Sequence, residues 1–416
     1  MARGGALFGP SSGGCVTHST EHPVRLILVD QLLKDGVGHH LGYNLALAKA
    51  AIEAGLKVCI AGHRKLDPEL AKGLRILPIF RTDWRAAPPR VLARSQAALR
   101  FLERVSESRF AEDLQKLGSL TSQDDLVYAQ MIAPRHFVSW LGWLSSLDSP
   151  PFLILQLGYQ PHRFRTVSVE RAMGKLTRSM RDRLAFVTDS EKLTGPFSEI
   201  LGEPIHHLPH VVDQAFLRRP FLEKSSTDTV FFAPGNARRE KGFGDLLAAA
   251  NQLAEKGSLE GIRLRVQCHQ PDSFCAALLG GESRSNAKVE FISSPLSDGE
   301  YRKQFEGADV ILMPYHLDCY ELRTSGVFCE ARNAGKPVLT TRGSWAGDRI
   351  AHEGGGWLVE EKNPTELADR MLEVARDLGD QSVRAEELQE ESTREFSPAF
   401  SIKKLVNITI SGRCAS

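Results

Sequence analysis

Three short stretches carry residue types able to hold an anionic ligand. The first is Ser325-Gly326, set between a polar loop and an apolar helical run. Small residues at a helix start leave its first backbone N–H groups open, and such a start attracts phosphate. Glu330 follows about one and a half turns in, able to reach back toward a ligand at that end. The second stretch is PGNARREKGFGDLL, a glycine turn bearing Arg238, Arg239 and Lys241. Two or three cations on one short loop suit a diphosphate. The third is KDGVGHHLGYN, where Gly36 and Gly38 allow close backbone approach and His39 and His40 can donate to a phosphate or a sugar hydroxyl. Each has a plainer reading: Ser325 as a simple helix cap, Glu330 as a solvated carboxylate, the glycines as a tight turn, and the histidines as a cap and a solvent-facing ring. Cys268-His269 with Cys275 lacks the second pair that a zinc site needs, and there is no Asp-x-Asp motif, so no metal site is expected.

The elements that must position these groups alternate strand and helix along the chain. Val24–Val29, Lys57–Ala61, Leu74–Phe80, Leu126–Met131, Phe152–Leu157, Leu184–Val187 and Ile205–Val212 read as buried strands separated by helical segments. The pattern restarts after a Pro-, Lys- and Ser-bearing linker at 218–228, with strands at Thr229–Ala233, Ile262–Val266, Lys288–Ile292, Val310–Met313, Pro337–Leu339 and Gly356–Val359. This is an α/β chain of doubly wound parallel sheets, whose ligands bind at the carboxyl edge of the strands. The division expected is a flexible tail over 1–22, a first domain over 23–212, a second over 213–395, and a terminal segment over 396–416 crossing back to the first.

Bulk properties agree with two domains. At 416 residues the chain exceeds one ordinary core, and a formal net charge of +1 disfavours nucleic acid as partner. The halves differ: 25 Lys and Arg against 19 Asp and Glu over 24–212, then 23 against 31 over 213–395. Arg171, Lys175, Arg178, Arg181 and Arg183 are spaced to share part of a helix surface. That face is either solvated or able to dock on anionic lipid headgroups or an anionic acceptor. Seven cysteines without CxxC spacing point to reduced thiols in the cytoplasm. The first residues have no sustained apolar core, unlike a signal peptide, and no run is long enough to span a membrane.

The motifs G-N-A-R-R-E-K-G-F, Y-E-L-R-T-S-G-V-F-C-E-A, G-K-P-V-L-T-T-R-G and G-W-L-V-E-E-K-N-P-T-E-L-A together resemble the nucleotide-binding domain of GT-B glycosyltransferases, family 4 in particular. The first half agrees more loosely, through its Gly loop, V-T-D-S-E-K-L-T and L-P-H-V-V-D. The resemblance implies a GT-B fold, two Rossmann-like domains facing across a cleft, with donor-binding residues Arg238, Lys241, Arg323, Ser325, Gly326, Val327 and Glu330. In the family, Glu330 falls on the second glutamate of a Glu-x7-Glu pattern and grips the ribose. The first would be residue 322, which is Leu322, with Glu321 one place off. The implied activity is retaining, metal-free transfer of a sugar from a nucleoside-diphosphate sugar to a carbohydrate, lipid-linked or other small acceptor, with no bound cofactor. The same fold also serves epimerases, phosphorylases and non-catalytic binding proteins.

Overall fold

The computed structural model describes residues 25–35, 39–71, 73–81, 95–158, 160–213, 228–257, 260–281 and 289–414. Gly36 and Gly38, the tail and most of the linker lie outside them, and of His39 only the backbone is described.

Thirteen described strands form two sheets. The first holds β1 (Arg25–Val29), β2 (Lys57–His63), β3 (Arg75–Phe80), β4 (Asp125–Ala129), β5 (Phe152–Gln156), β6 (Leu184–Thr188) and β7 (Ile205–His207), in the order β3-β2-β1-β4-β5-β6-β7. The second holds β8 (Thr229–Ala233), β9 (Ile262–Gln267), β10 (Val289–Ile292), β11 (Val310–Met313), β12 (Val338–Thr341) and β13 (Gly356–Val359), in the order β10-β9-β8-β11-β12-β13. All pairings are parallel. This is the expected pair of doubly wound domains.

Continuous apolar strands follow from helices covering both faces. Ile27 and Val29 enter one first-domain core with Val127 and Leu153, while Leu26 and Leu28 enter the other with Leu126 and Ile154. Phe231, Val310 and Leu312 face one core of the second domain; Phe232, Ile311 and Met313 face the other. A one-residue register slip would exchange these sets, so the register is fixed by packing.

The last helix, Pro398–Cys414, lies against the His39–Glu53 helix, and its Ile402, Leu405 and Val406 complete a first-domain core. The strand anticipated over Ile205–Val212 is shorter, because the chain leaves the sheet after His207 to cross toward the second domain. The single basic helix face also fails. Lys175 ends one helix, Val167–Gly174, and Thr177 caps a new turn, Arg178–Arg181. Arg181 turns inward to the carbonyls of Met173 and Leu176 and to Glu203, and Arg183 donates to the carbonyl of Gln123, leaving Arg171, Lys175 and Arg178 exposed.

Candidate functional site: the switch-point crevice

In each sheet the strand order reverses once, between β1 and β4 and between β8 and β11. The loops leaving neighbouring strands there part to opposite faces and open a crevice at their carboxyl ends. In the second domain these two loops carry Arg238–Lys241 and Arg323–Ser325, so the topology itself brings two of the three stretches together.

Gly242 locks the loops together. It has φ +68°, and a Cβ there would stand 1.8 Å from the carbonyl oxygen of Pro314, just after β11. Only glycine permits that approach. Lys241, in the short turn Arg239–Lys241, lays its ammonium over Gly235, 5.7 Å from the centre of the Tyr315 ring. Burial, then the nearby Arg238, lower its pKa from 10.5 to about 8, while Glu330 works the other way. Arg238 is exposed at the crevice, whereas Arg239 leaves it to sit over Phe274.

Across from Lys241 the helix Gly326–Asn333 begins. Ser325 is its N-cap, and its hydroxyl accepts from the Phe328 N–H, which is the plain capping role. That bond occupies one of the four donors a helix start leaves open. Val327 leans on the second-domain core beneath. Glu330, partly buried one turn in, accepts a 2.8 Å hydrogen bond from the Tyr301 hydroxyl. Desolvation raises the Glu330 pKa from 4.5 to about 7, with Tyr301 and Lys241 opposing. Glu330 is therefore not a solvated surface carboxylate. Tyr301 was not foreseen: it lies 29 residues away, in the Asp298–Glu306 helix, fixed among Phe232 and Phe305. No local motif marks it.

Arg323 is exposed, with its guanidinium 5.6 Å from the Tyr320 ring centre. Leu322, at the position of the missing glutamate, packs against the first-domain core. Glu321 beside it is exposed.

At the first-domain switch point, Asp30 follows β1. Its carboxylate takes a 2.8 Å contact from His40 Nδ1 and a 3.1 Å bond from Asn44, whose side-chain carbonyl accepts from Gln130 after β4. Met131, next in that loop, has φ +47°, a strained conformation for a side-chain-bearing residue. Asp189, after β6, also faces the cleft. Its carbonyl accepts from Thr324 of the second domain, while its buried Oδ1 has no partner among the described residues and burial lifts its pKa to about 6. Asp189 stands out in sequence only as the polar end of an apolar run.

Among the described residues, one group brings metal-ligating atoms within 4.8 Å of one another: His316, Asp318 and Glu361. His316 is 2.7 Å from Asp245, and Glu361 accepts from the Leu317 N–H. Cys268, His269 and Cys275 form no such group.

Residues 228–377 match the family described as Glycosyl transferases group 1. No curated protein matches the sequence significantly. The fold is similar to a glycosyltransferase from Rickettsia africae: 16% identity, TM-score 0.65, 95% of this chain and 100% of that one. It is similar to the HepE protein of Anabaena in complex with UDP-glucose: 14% identity, TM-score 0.66, 93% and 99% covered. A trehalose-6-phosphate protein of E. coli bound with UDP-2-fluoro glucose gives 12% identity, TM-score 0.68, and 93% and 99% covered. The chain thus has the two-domain GT-B fold, and its second domain carries the sequence signature of glycosyl transferases group 1.

Proposed function

We propose that the protein is a glycosyltransferase that moves a sugar from a nucleoside-diphosphate sugar to a carbohydrate, lipid-linked or other small acceptor. The observation that carries this is the convergence of Lys241, Glu330 and an open helix start on one switch-point crevice, within the segment matched to glycosyl transferases group 1. The diphosphate lies between Lys241, Arg238 and the first N–H groups of the helix, and Glu330 accepts from the ribose diol. These donors stabilise the charge that develops on the leaving diphosphate as the glycosidic bond breaks, so the reaction runs without a metal. Transfer with retention, and membership of family 4, rest on the motif resemblance. The protein works in the cytoplasm, where Arg171, Lys175 and Arg178 offer a small exposed basic patch for an anionic membrane face. No helix among the described residues is long and apolar enough to cross a membrane.

The test is equilibrium binding of UDP, GDP, ADP, dTDP and CMP, followed by incubation of the matching sugar donor and assay for hydrolysis or transfer. Binding of one diphosphate and turnover of its sugar conjugate is the expected result. Failure of every diphosphate to bind ends the reading.

A second reading is motivated by Leu322. An apolar side chain packed on the first-domain core stands where the resemblance calls for a carboxylate. A sugar-nucleotide-binding protein without turnover would show donor affinity and no hydrolysis or transfer.

A further inference from the structure

Outside the residues assigned above, one side chain reaches the helix start from the opposite domain. His210 lies on the crossing segment after β7. Leu208 and Val211 are buried in a first-domain core, and Val212 in a second-domain core. Position 210 is thereby pinned by neighbours anchored on both sides. Its ring leans on Tyr43, with centroids 5.8 Å apart and planes at 44°. Tyr43 is held in turn by a hydroxyl contact of 3.4 Å to Tyr128, which donates to Gln156 at 3.0 Å.

The other edge of the ring faces the second domain. A Cβ on Gly326, the first residue of the Gly326–Asn333 helix, would stand 2.9 Å from His210 Nε2. The ring therefore fills the space that a side chain at position 326 would take. Among the described residues no hydrogen bond or ion pair engages either ring nitrogen of His210. The ring is half-buried rather than sealed, so these nitrogens are within reach of whatever enters the crevice.

We infer that His210 is a cross-domain ligand of the donor diphosphate, donating from Nε2 to a phosphate oxygen seated at the helix start. This rests on the donor-site reading above. Burial and the Arg323 guanidinium hold the imidazole neutral in the free protein, with its pKa near 4. A neutral imidazole still carries one N–H, and tautomerism can place it on Nε2. With Lys241 and Arg238 on one side and His210 on the other, the diphosphate is held by both domains. Its binding then favours the arrangement in which they are closed.

Two variants separate this role from packing. His210→Leu keeps an apolar body against Tyr43 and removes the donor; His210→Gln keeps a donor of similar reach. Binding of UDP, GDP, ADP and dTDP, and of the corresponding nucleosides, is measured by calorimetry for the parent and both variants. For the diphosphate that the parent binds best, His210→Leu is expected to lose at least about tenfold in affinity, with the nucleoside unchanged and His210→Gln recovering most of the loss. Equal losses for nucleoside and diphosphate, parental diphosphate affinity in His210→Leu, or no recovery in His210→Gln would each overturn the inference. If the parent binds none of the diphosphates, the donor-site reading itself fails. That outcome differs from a parent that binds and variants that do not discriminate.

Discussion

Two side chains at the crevice face each other with opposite electrostatic problems. Burial raises the Glu330 pKa to about 7 and lowers that of Lys241 to about 8. A folded-state pKa above the unfolded one means that the protonated carboxyl favours folding. The contribution is fully present below pH 4.5 and is lost as pH rises through about 7. Glu330→Gln keeps an acceptor for Tyr301 and does not titrate. Relative to parent, it is expected to gain on the order of 1–3 kcal/mol between pH 4.5 and 7.5, read from urea unfolding without ligand. A stability difference that stays flat across this window would mean that the carboxylate is hydrated. Lys241→Ala is expected to weaken a nucleoside diphosphate by about 1.5–3 kcal/mol and the nucleoside hardly at all. Equal losses in titrations of both ligands would give the cation another job. Sequence alone placed both residues near a helix start and a glycine turn, because those features are local. It could not reveal Tyr301 beneath Glu330, or Leu322 turned to the other domain, because both depend on packing between segments far apart in the chain.

The elements were legible where burial dictates a simple pattern. Val310–Met313 and Gly356–Val359 coincide with apolar runs, since a parallel strand covered on both faces has no polar side to blur its ends. In the Arg171–Arg183 segment cation spacing is a poor guide, because Thr166 and Thr177 cap two separate helices and so break the shared face. Glycine placement gives an element-level prediction. Gly242→Ala must move Lys241 or Pro314, since the added Cβ overlaps a carbonyl oxygen and the backbone lies at positive φ. The expected cost is about 1–3 kcal/mol of stability from backbone strain alone. Diphosphate affinity, measured on protein that remains folded, should fall with it. Parental stability and affinity would show the two loops to be independent. Leu405, fully buried where the last helix meets the first domain, makes a separate case. Leu405→Ala is expected to cost about 2–5 kcal/mol in chemical unfolding; a loss under about 0.5 kcal/mol would mean that the helix does not hold the first domain.

At the scale of the whole molecule, the two sheets have separate cores, and a few polar contacts draw them together beside the crossing segments. The Trp345 indole N–H lies 3.1 Å from each oxygen of the Glu191 carboxylate. Lys192 pairs with Asp348 at 2.6 Å, and Thr324 donates to the Asp189 carbonyl at 2.6 Å. The ion pair is partly exposed and worth at most about 1 kcal/mol, so salt screens it. Hydrogen bonds of this kind add about 1 kcal/mol each. Such a set joins the domains without locking them, which suits the donor binding and diphosphate release of the function proposed above. Glu191→Ala with Lys192→Ala removes the contacts to Trp345 and Asp348 while leaving the sheets and the crevice residues of the second domain in place. The unliganded double variant is expected to show a larger radius of gyration by small-angle scattering. Its affinity for a nucleoside diphosphate should drop by up to about thirtyfold, because the roughly 2 kcal/mol of two such contacts is then left to the ligand. Saturating ligand should bring the radius back to the parental value. A radius equal to that of the parent in the absence of ligand would show that these contacts do not set the closed arrangement. The crossing segment and the Pro398–Cys414 helix would then hold the domains together on their own.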